Sequence, residues 1–143
     1  PLSLIPDLDE DFLVMNGDVL TDLDLGAFMH AHRASGAIGT IAAYDKTVDL
    51  TLGVLHLDAN SLVTRYEEKP VLHYLVSTGI YGFKPDALRF LEPGVRCDLP
   101  DLVNRLVASG ERLRSHRFTG LWLDIGRPED YETAIRMYEN GPA

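Results

Sequence analysis

Two aspartates stand where a short apolar run gives way to turn residues: Asp18 in Phe12-Leu13-Val14-Met15-Asn16-Gly17-Asp18, and Asp124 in Trp122-Leu123-Asp124-Ile125-Gly126. Ligands of open α/β sheets bind outside the carboxyl ends of the strands, so both carboxylates are well placed for chemistry. If the two strand ends are neighbours, the pair can share a hard cation. Mg²⁺ takes one or two carboxylates and completes its shell with water and substrate phosphate oxygens. Read from spacing alone, the same aspartates also suit turn or cap positions. The expectation is that the carboxylates converge although most of the chain separates them.

Glu67-Glu68-Lys69-Pro70 is a second candidate, with a lysine among acids and a φ-fixing proline at a strand end. Lys69 could hold a phosphate as a point charge while Glu68 accepts hydrogen bonds from hydroxyls; a solvated strand end is the plainer reading. Asp22-Leu23-Asp24 has the Asp-x-Asp form of metal-dependent glycosyltransferases, but a helix start explains it better. His30 and His32 fall on different faces of one helix, and His56, His73 and His116 lack ligand-spaced partners. Cys97 has no Cys-x-x-Cys mate and reads as a packed or surface thiol, and Trp122 reads as core area.

These groups need a scaffold. Residues 12–15 and 38–44 read as buried strands, about 121–124 as a closing strand, 53–67 as a hairpin turning at Asp58-Ala59-Asn60-Ser61, and 75–83 as a strand interrupted by Gly79. A glycine there implies close approach of another group to the backbone. Helices are expected at 23–35 after an aspartate cap, at 85–91, at 99–109, and from Pro128 to about 139. The mixture predicts an α/β protein: a mixed, mostly parallel sheet with flanking helices.

Composition narrows the classes. The 143 residues are 45% apolar and 24% charged, enough for one domain with its own core. A formal net charge of −9 argues against a nucleic-acid face, which needs clustered Lys and Arg. No run approaches the ~20 apolar residues of a membrane span. A lone cysteine excludes an intrachain disulfide and points to a reducing, cytoplasmic setting.

In order along the chain, Phe12-Leu13-Val14-Met15-Asn16-Gly17-Asp18-Val19-Leu20, Leu52-Gly53-Val54, Glu68-Lys69-Pro70, Ser77-Thr78-Gly79-Ile80-Tyr81 and Trp122-Leu123-Asp124-Ile125-Gly126-Arg127-Pro128-Glu129-Asp130-Tyr131 resemble the sugar-1-phosphate nucleotidyltransferases. The resemblance spans nearly the whole chain. It implies the nucleotide-diphospho-sugar transferase (Rossmann-like) fold and transfer of a nucleotidyl group from a nucleoside triphosphate to a sugar 1-phosphate, releasing pyrophosphate. The branch it looks closest to uses GTP and mannose 1-phosphate. By the same resemblance Asp18 and Asp124 are the Mg²⁺ ligands, Lys69 meets the sugar phosphate, Glu68 accepts sugar hydroxyls, and the backbone at Gly53 and Gly79 approaches the sugar; Asp18, Lys69 and Asp124 would be the catalytic set. Ser77 stands where many members carry Asn. The family's Gly-rich triphosphate loop has no counterpart, since no Gly-x-Gly occurs. The chain therefore resembles the C-terminal, sugar-phosphate-binding part (residues 1–143) of one catalytic domain, without its N-terminal strands, expected to be inactive alone and to self-associate over apolar surface. Two other readings are a non-catalytic sugar-phosphate-binding paralogue and a metal-dependent glycosyltransferase of related fold.

Overall fold

The computed structural model describes residues 2–92 and 94–140. Among these described residues, eight strands and three α-helices follow in the order β1 (Phe12–Met15), β2 (Val19–Thr21), α1 (Leu25–Ser35), β3 (Gly39–Asp49), β4 (Val54–Leu57), β5 (Val63–Glu67), β6 (Val71–Phe83), α2 (Leu99–Ala108), β7 (Leu113–Phe118), β8 (Trp122–Asp124) and α3 (Pro128–Asn140). Short 3₁₀ turns occupy Leu2–Leu4 and Pro85–Phe90. Within the one domain expected, two compact units are distinguishable: Pro1–Tyr44 with Ser77–Ala143, and Asp45–Val76.

The larger unit is organised around a four-stranded sheet in the order β1-β6-β3-β7. β1 pairs antiparallel with β6, Phe12 opposite Phe83 and Met15 opposite Ile80, while β3 pairs parallel with β7, Gly39 opposite Leu113 and Tyr44 opposite Phe118. The sheet is mixed, as read from the sequence, but β3–β7 is the parallel ladder among the registers described and the others are antiparallel. Both β2 and β7 escaped the sequence reading. β2 has three residues, too few for periodicity to show, and Leu113-Arg114-Ser115-His116-Arg117-Phe118 is polar enough to pass for a loop.

Helix α1 begins at Leu25, two residues later than expected, because Asp24 is its cap: the Asp24 Oδ1 accepts from the Ala27 N–H at 2.9 Å. Its inner face places Phe28 and Met29 against Ala42 and Ile80. On the other side, Leu102 and Leu106 of α2 pack with Ile38, Tyr81, Phe83 and Ala87. The segment expected as a helix at 85–91 closes as a six-residue 3₁₀ turn, a length at which one extra turn of α-helix adds little. No helix among the described residues is long and apolar enough to cross a membrane.

The smaller unit is built on the expected hairpin. β4 and β5 pair antiparallel, Val54 opposite Glu67 and Leu55 opposite Tyr66, with a bulge at His56/Leu57. Its turn is organised by Asp58, whose Oδ1 accepts from the Asn60 and Leu62 N–H groups at 2.8 and 2.9 Å.

Candidate functional site

The acidic pair is assembled by backbone pairing. β2 and β8 run antiparallel with Val19 opposite Asp124, and the Ile125 N–H donates to the Asp18 carbonyl at 2.9 Å. This ladder sets Asp18, just before β2, beside Asp124, the last residue of β8. The turn after β8 is fixed from both sides. The Asp124 carboxylate accepts from the Gly126 N–H at 3.2 Å, and the Asp124 N–H donates to Asp130 Oδ2 at 3.3 Å.

Gly126 is where the carboxylates meet. A Cβ at that position would lie 2.8 Å from Asp18 Oδ2 and 3.1 Å from Asp124 Oδ1. Those distances leave the two oxygens no more than about 6 Å apart, a span that one cation with ligand distances near 2.1 Å can bridge after small side-chain rotations. Among the described residues no group of three His, Cys, Asp or Glu gathers to hold a metal. Two carboxylates beside an open glycine suit a cation that takes its remaining ligands from water and phosphate, as Mg²⁺ does, and do not suit a closed zinc site.

The group that approaches Gly79 is Asn16. Gly79 has φ +78°, a Cβ there would sit 2.6 Å from the Asn16 side-chain amide, and the Asn16 N–H donates to the Gly79 carbonyl at 2.9 Å. The glycine inside β6 thus has a local explanation: buried, it seats the residue two before Asp18. Next to Asn16 a pocket of about 450 Å³ is lined by Val14, Tyr81, Cys97, Leu99 and Leu102, among others; neither Asp18 nor Asp124 lines it.

In the smaller unit Gly53, Glu68 and Lys69 form a second cluster through a residue the sequence reading passed over. Tyr66 donates its phenol to Glu68 Oε2, and its ring occupies the space a Cβ on Gly53 would need. Lys69 Nζ lies 4.0 Å from Glu68 Oε1, and Lys69 has φ +43°. All three side chains are exposed.

Other candidates are occupied with structure. Asp24 caps α1, and Asp22 Oδ1 accepts from the Leu121 N–H at 2.9 Å, so the Asp-x-Asp segment serves folding and does not support the glycosyltransferase reading. Trp122 Nε1 donates to the Thr78 carbonyl at 3.1 Å, and its ring lies 5.7 Å from that of Tyr44. Cys97 Sγ is 3.5 Å from the Asp98 carbonyl.

The match to known proteins follows this layout. The nucleotidyl transferase family model matches residues 3–141, which includes both clusters. The chain belongs to the nucleotidyl transferase family. Within it, the chain is 39% identical to a UTP–glucose-1-phosphate uridylyltransferase of Synechocystis over 92% of its length, and 32% identical to a mannose-1-phosphate guanyltransferase of Schizosaccharomyces pombe over 96%. It spans 36% and 40% of those proteins. Among solved structures, HddC from Yersinia pseudotuberculosis superposes with a TM-score of 0.62 at 21% identity, over 90% of this chain and 56% of that one, and so shares the fold.

Within this nucleotidyl transferase chain the residues missed were Gly126, Asn16, Asp130 and Tyr66. Strand parity could have found Tyr66, since residues two apart on a strand share a face with Glu68. Gly126 carries no such signal, because its contact with Asp18 depends on the pairing of β2 with β8, and Asp130 reads as an ordinary acidic residue in the first turn of a helix.

Proposed function

We propose that this chain supplies the sugar-phosphate and metal-binding part of a sugar-1-phosphate nucleotidyltransferase. A sugar-phosphate oxygen attacks the α-phosphorus of a nucleoside triphosphate; the new O–P bond forms as the bond to the pyrophosphate leaving group breaks. This chemistry asks for positioning and charge neutralisation more than for covalent help. Asp18 and Asp124 are the residues to hold Mg²⁺, which when bound neutralises phosphate oxygens. Lys69 is assigned to the sugar phosphate, where an ammonium acts as a point charge. Glu68 accepts sugar hydroxyls, and Gly53 contributes by making room for the Tyr66 ring that meets Glu68. Gly79 contributes through Asn16.

The observation that carries this reading is the meeting of two carboxylates from opposite ends of the chain at a glycine, in a chain of this family. Because the 143 residues contain no Gly-x-Gly loop to cradle a triphosphate, the isolated chain should bind without turning over.

The test has two arms. In the first, ¹⁵N-labelled chain is titrated with Mn²⁺ and with mannose 1-phosphate or glucose 1-phosphate. Paramagnetic broadening should centre on Asp18, Asp124 and Gly126 and vanish in Asp18→Asn and Asp124→Asn. Broadening elsewhere, or none, overturns the metal assignment. In the second arm, pyrophosphate release from GTP, UTP, dTTP and ATP is followed with each sugar phosphate, first for the 143-residue chain, which should release none, and then for the same residues joined to a segment that carries a Gly-rich triphosphate loop. GTP with mannose 1-phosphate is the pair we favour, and UTP with glucose 1-phosphate is the pair that would replace it.

A further inference from the structure

Tyr66 is the residue of the second cluster that no role yet explains. It stands opposite Leu55 in the hairpin, two residues before Glu68, so parity puts both side chains on one face. Gly53 and Glu68 are the residues just beyond the last pair of the ladder, Val54 with Glu67. The absence of a side chain on Gly53 is what lets the Tyr66 ring lie across it and present its hydroxyl to Glu68 Oε2. The other carboxylate oxygen, Oε1, faces Lys69 Nζ at 4.0 Å.

An exposed glutamate ordinarily samples many rotamers, and fixing one costs free energy when a ligand binds. Here the phenol fixes it before any ligand arrives. A tyrosine is well suited to this task, because its ring has few torsions and its O–H donates to a carboxylate in a charge-assisted bond. The hydrogen bond to Glu68, with a smaller contribution from desolvation, also raises the phenol's pKa above its ordinary value of 10.0, so the donor keeps its proton at neutral pH. Charged groups nearby on the hairpin are paired among themselves: Glu67 lies 3.0 Å from Arg65 and 3.5 Å from His56.

We infer that Tyr66 is a positioning residue for sugar recognition: seated on Gly53, it holds one oxygen of Glu68 so that the other, beside Lys69, is presented to the hydroxyls of a bound sugar 1-phosphate. This inference rests on the reading of Glu68 and Lys69 as sugar-phosphate contacts.

The experiment uses the 143-residue chain labelled with ¹³Cζ-tyrosine, the Tyr66 resonance being the one absent from Tyr66→Phe. Two quantities are read: the pH titration of that carbon, and the affinity for mannose 1-phosphate and glucose 1-phosphate. The expected result is a Tyr66 phenol titrating above the ordinary value, returned downward by Glu68→Gln. With it, Tyr66→Phe should weaken sugar 1-phosphate binding roughly 3–10-fold. In the Glu68→Gln background the same change should have little further effect, a non-additivity that a merely structural tyrosine would not give. An unshifted phenol overturns the inference, as does wild-type affinity in Tyr66→Phe while Glu68→Gln and Lys69→Ala still weaken binding; either result leaves the sugar-phosphate reading standing. Absence of sugar 1-phosphate binding to the unaltered chain overturns that reading itself, and the inference with it.

Discussion

Phe28, Phe83, Leu102 and Leu106 are sealed from solvent in the larger unit, whereas Leu55, Leu57, Val63 and Tyr66 of the smaller unit each keep more than half their surface exposed. Among the described residues, the buried members of both hydrophobic clusters fall in Pro1–Tyr44 or Ser77–Ala143, and the smaller unit buries Pro70. The contrast extends to the two candidate clusters. Asp18 and Asp124 are set by the β2–β8 ladder, from which Val19 packs against the core, so backbone geometry fixes them. Gly53, Tyr66, Glu68 and Lys69 are held by side-chain contacts on an exposed hairpin. A scaffold of the first kind suits a metal, which demands fixed carboxylates. One of the second kind suits the hydroxyls of a sugar ring, which are read by side chains that hold one another in place.

The largest test of this contrast is in the cores. Phe28→Ala removes a fully buried ring that packs edge-on against His116 and should cost about 3–5 kcal/mol, seen as a large fall in melting temperature. Leu55→Ala, on the hairpin, should change stability by no more than about 0.5 kcal/mol. Amide exchange gives the same comparison residue by residue: protection at Ile80–Phe83 should approach that of global unfolding, with far less at Val54–Leu57. Equal losses for the two substitutions, or equal protection, would show that the smaller unit is as firmly built as the larger.

Next in size is Gly126→Ala. Its methyl would sit 2.8 Å from one carboxylate oxygen and 3.1 Å from the other, so both aspartates must turn away. Mn²⁺ affinity should fall roughly 10–100-fold, the range for disturbed metal-site geometry, with Tm little changed because the carboxylates are outside the core. Unaltered affinity would mean that the ion does not sit between them.

Asp24→Ala should destabilise by about 1 kcal/mol through loss of the α1 cap. The informative half of this experiment is Mn²⁺ binding, which should stay as it was. A drop would return the Asp-x-Asp segment to the list of metal ligands.

What could be read from the sequence follows the same division. Strong local signals succeeded: the apolar runs at 12–15 and 121–124, an aspartate cap on α1, though the helix starts two residues later than expected, and the hairpin with its Asp58 turn. The location of the carboxylate pair was also legible, since both follow apolar runs. What failed depended on pairing between distant segments. β2 exists because β8 lies beside it, and β7 because β3 does; neither has a pattern that would form a strand alone. Gly79 showed the general signal of close approach but not its partner, because nothing in Ser77-Thr78-Gly79 indicates that Asn16 returns there. Tyr66 was missed for the opposite reason. It is local, but it looked like ordinary strand composition.

The smallest effect expected belongs to a histidine that the sequence reading set aside. His32 is completely buried on α1, with Nδ1 2.8 Å from the Thr40 hydroxyl. Its Nε2 has no hydrogen-bond partner among the described residues and lies 3.7 Å from the Asp11 carboxylate. Burial lowers its pKa below the ordinary 6.5; Asp11 opposes that shift, Lys84 and Arg33 add to it, and a backbone hydrogen bond at Phe83 opposes it. The ring is therefore neutral in the fold, and Asp11 favours the tautomer with the proton on Nε2, the Thr40 hydroxyl donating to Nδ1. In the unfolded chain the same ring titrates near 6.5. Between the two values the unfolded state binds more protons, so stability is complete above pH 6.5 and declines as pH falls from there toward the folded value. Because Asp11 offsets part of the burial, the decline should be smaller than the Phe28 effect. Comparing Tm between pH 7.5 and 5.5 for the native chain and His32→Asn isolates it, since only the native chain carries a titrating ring at that buried position. The native chain should lose more stability on acidification than the variant. Equal slopes would remove His32 as a titrating group, and a steeper loss in the variant would mean that Asp11 wins over burial and the folded ring carries a proton.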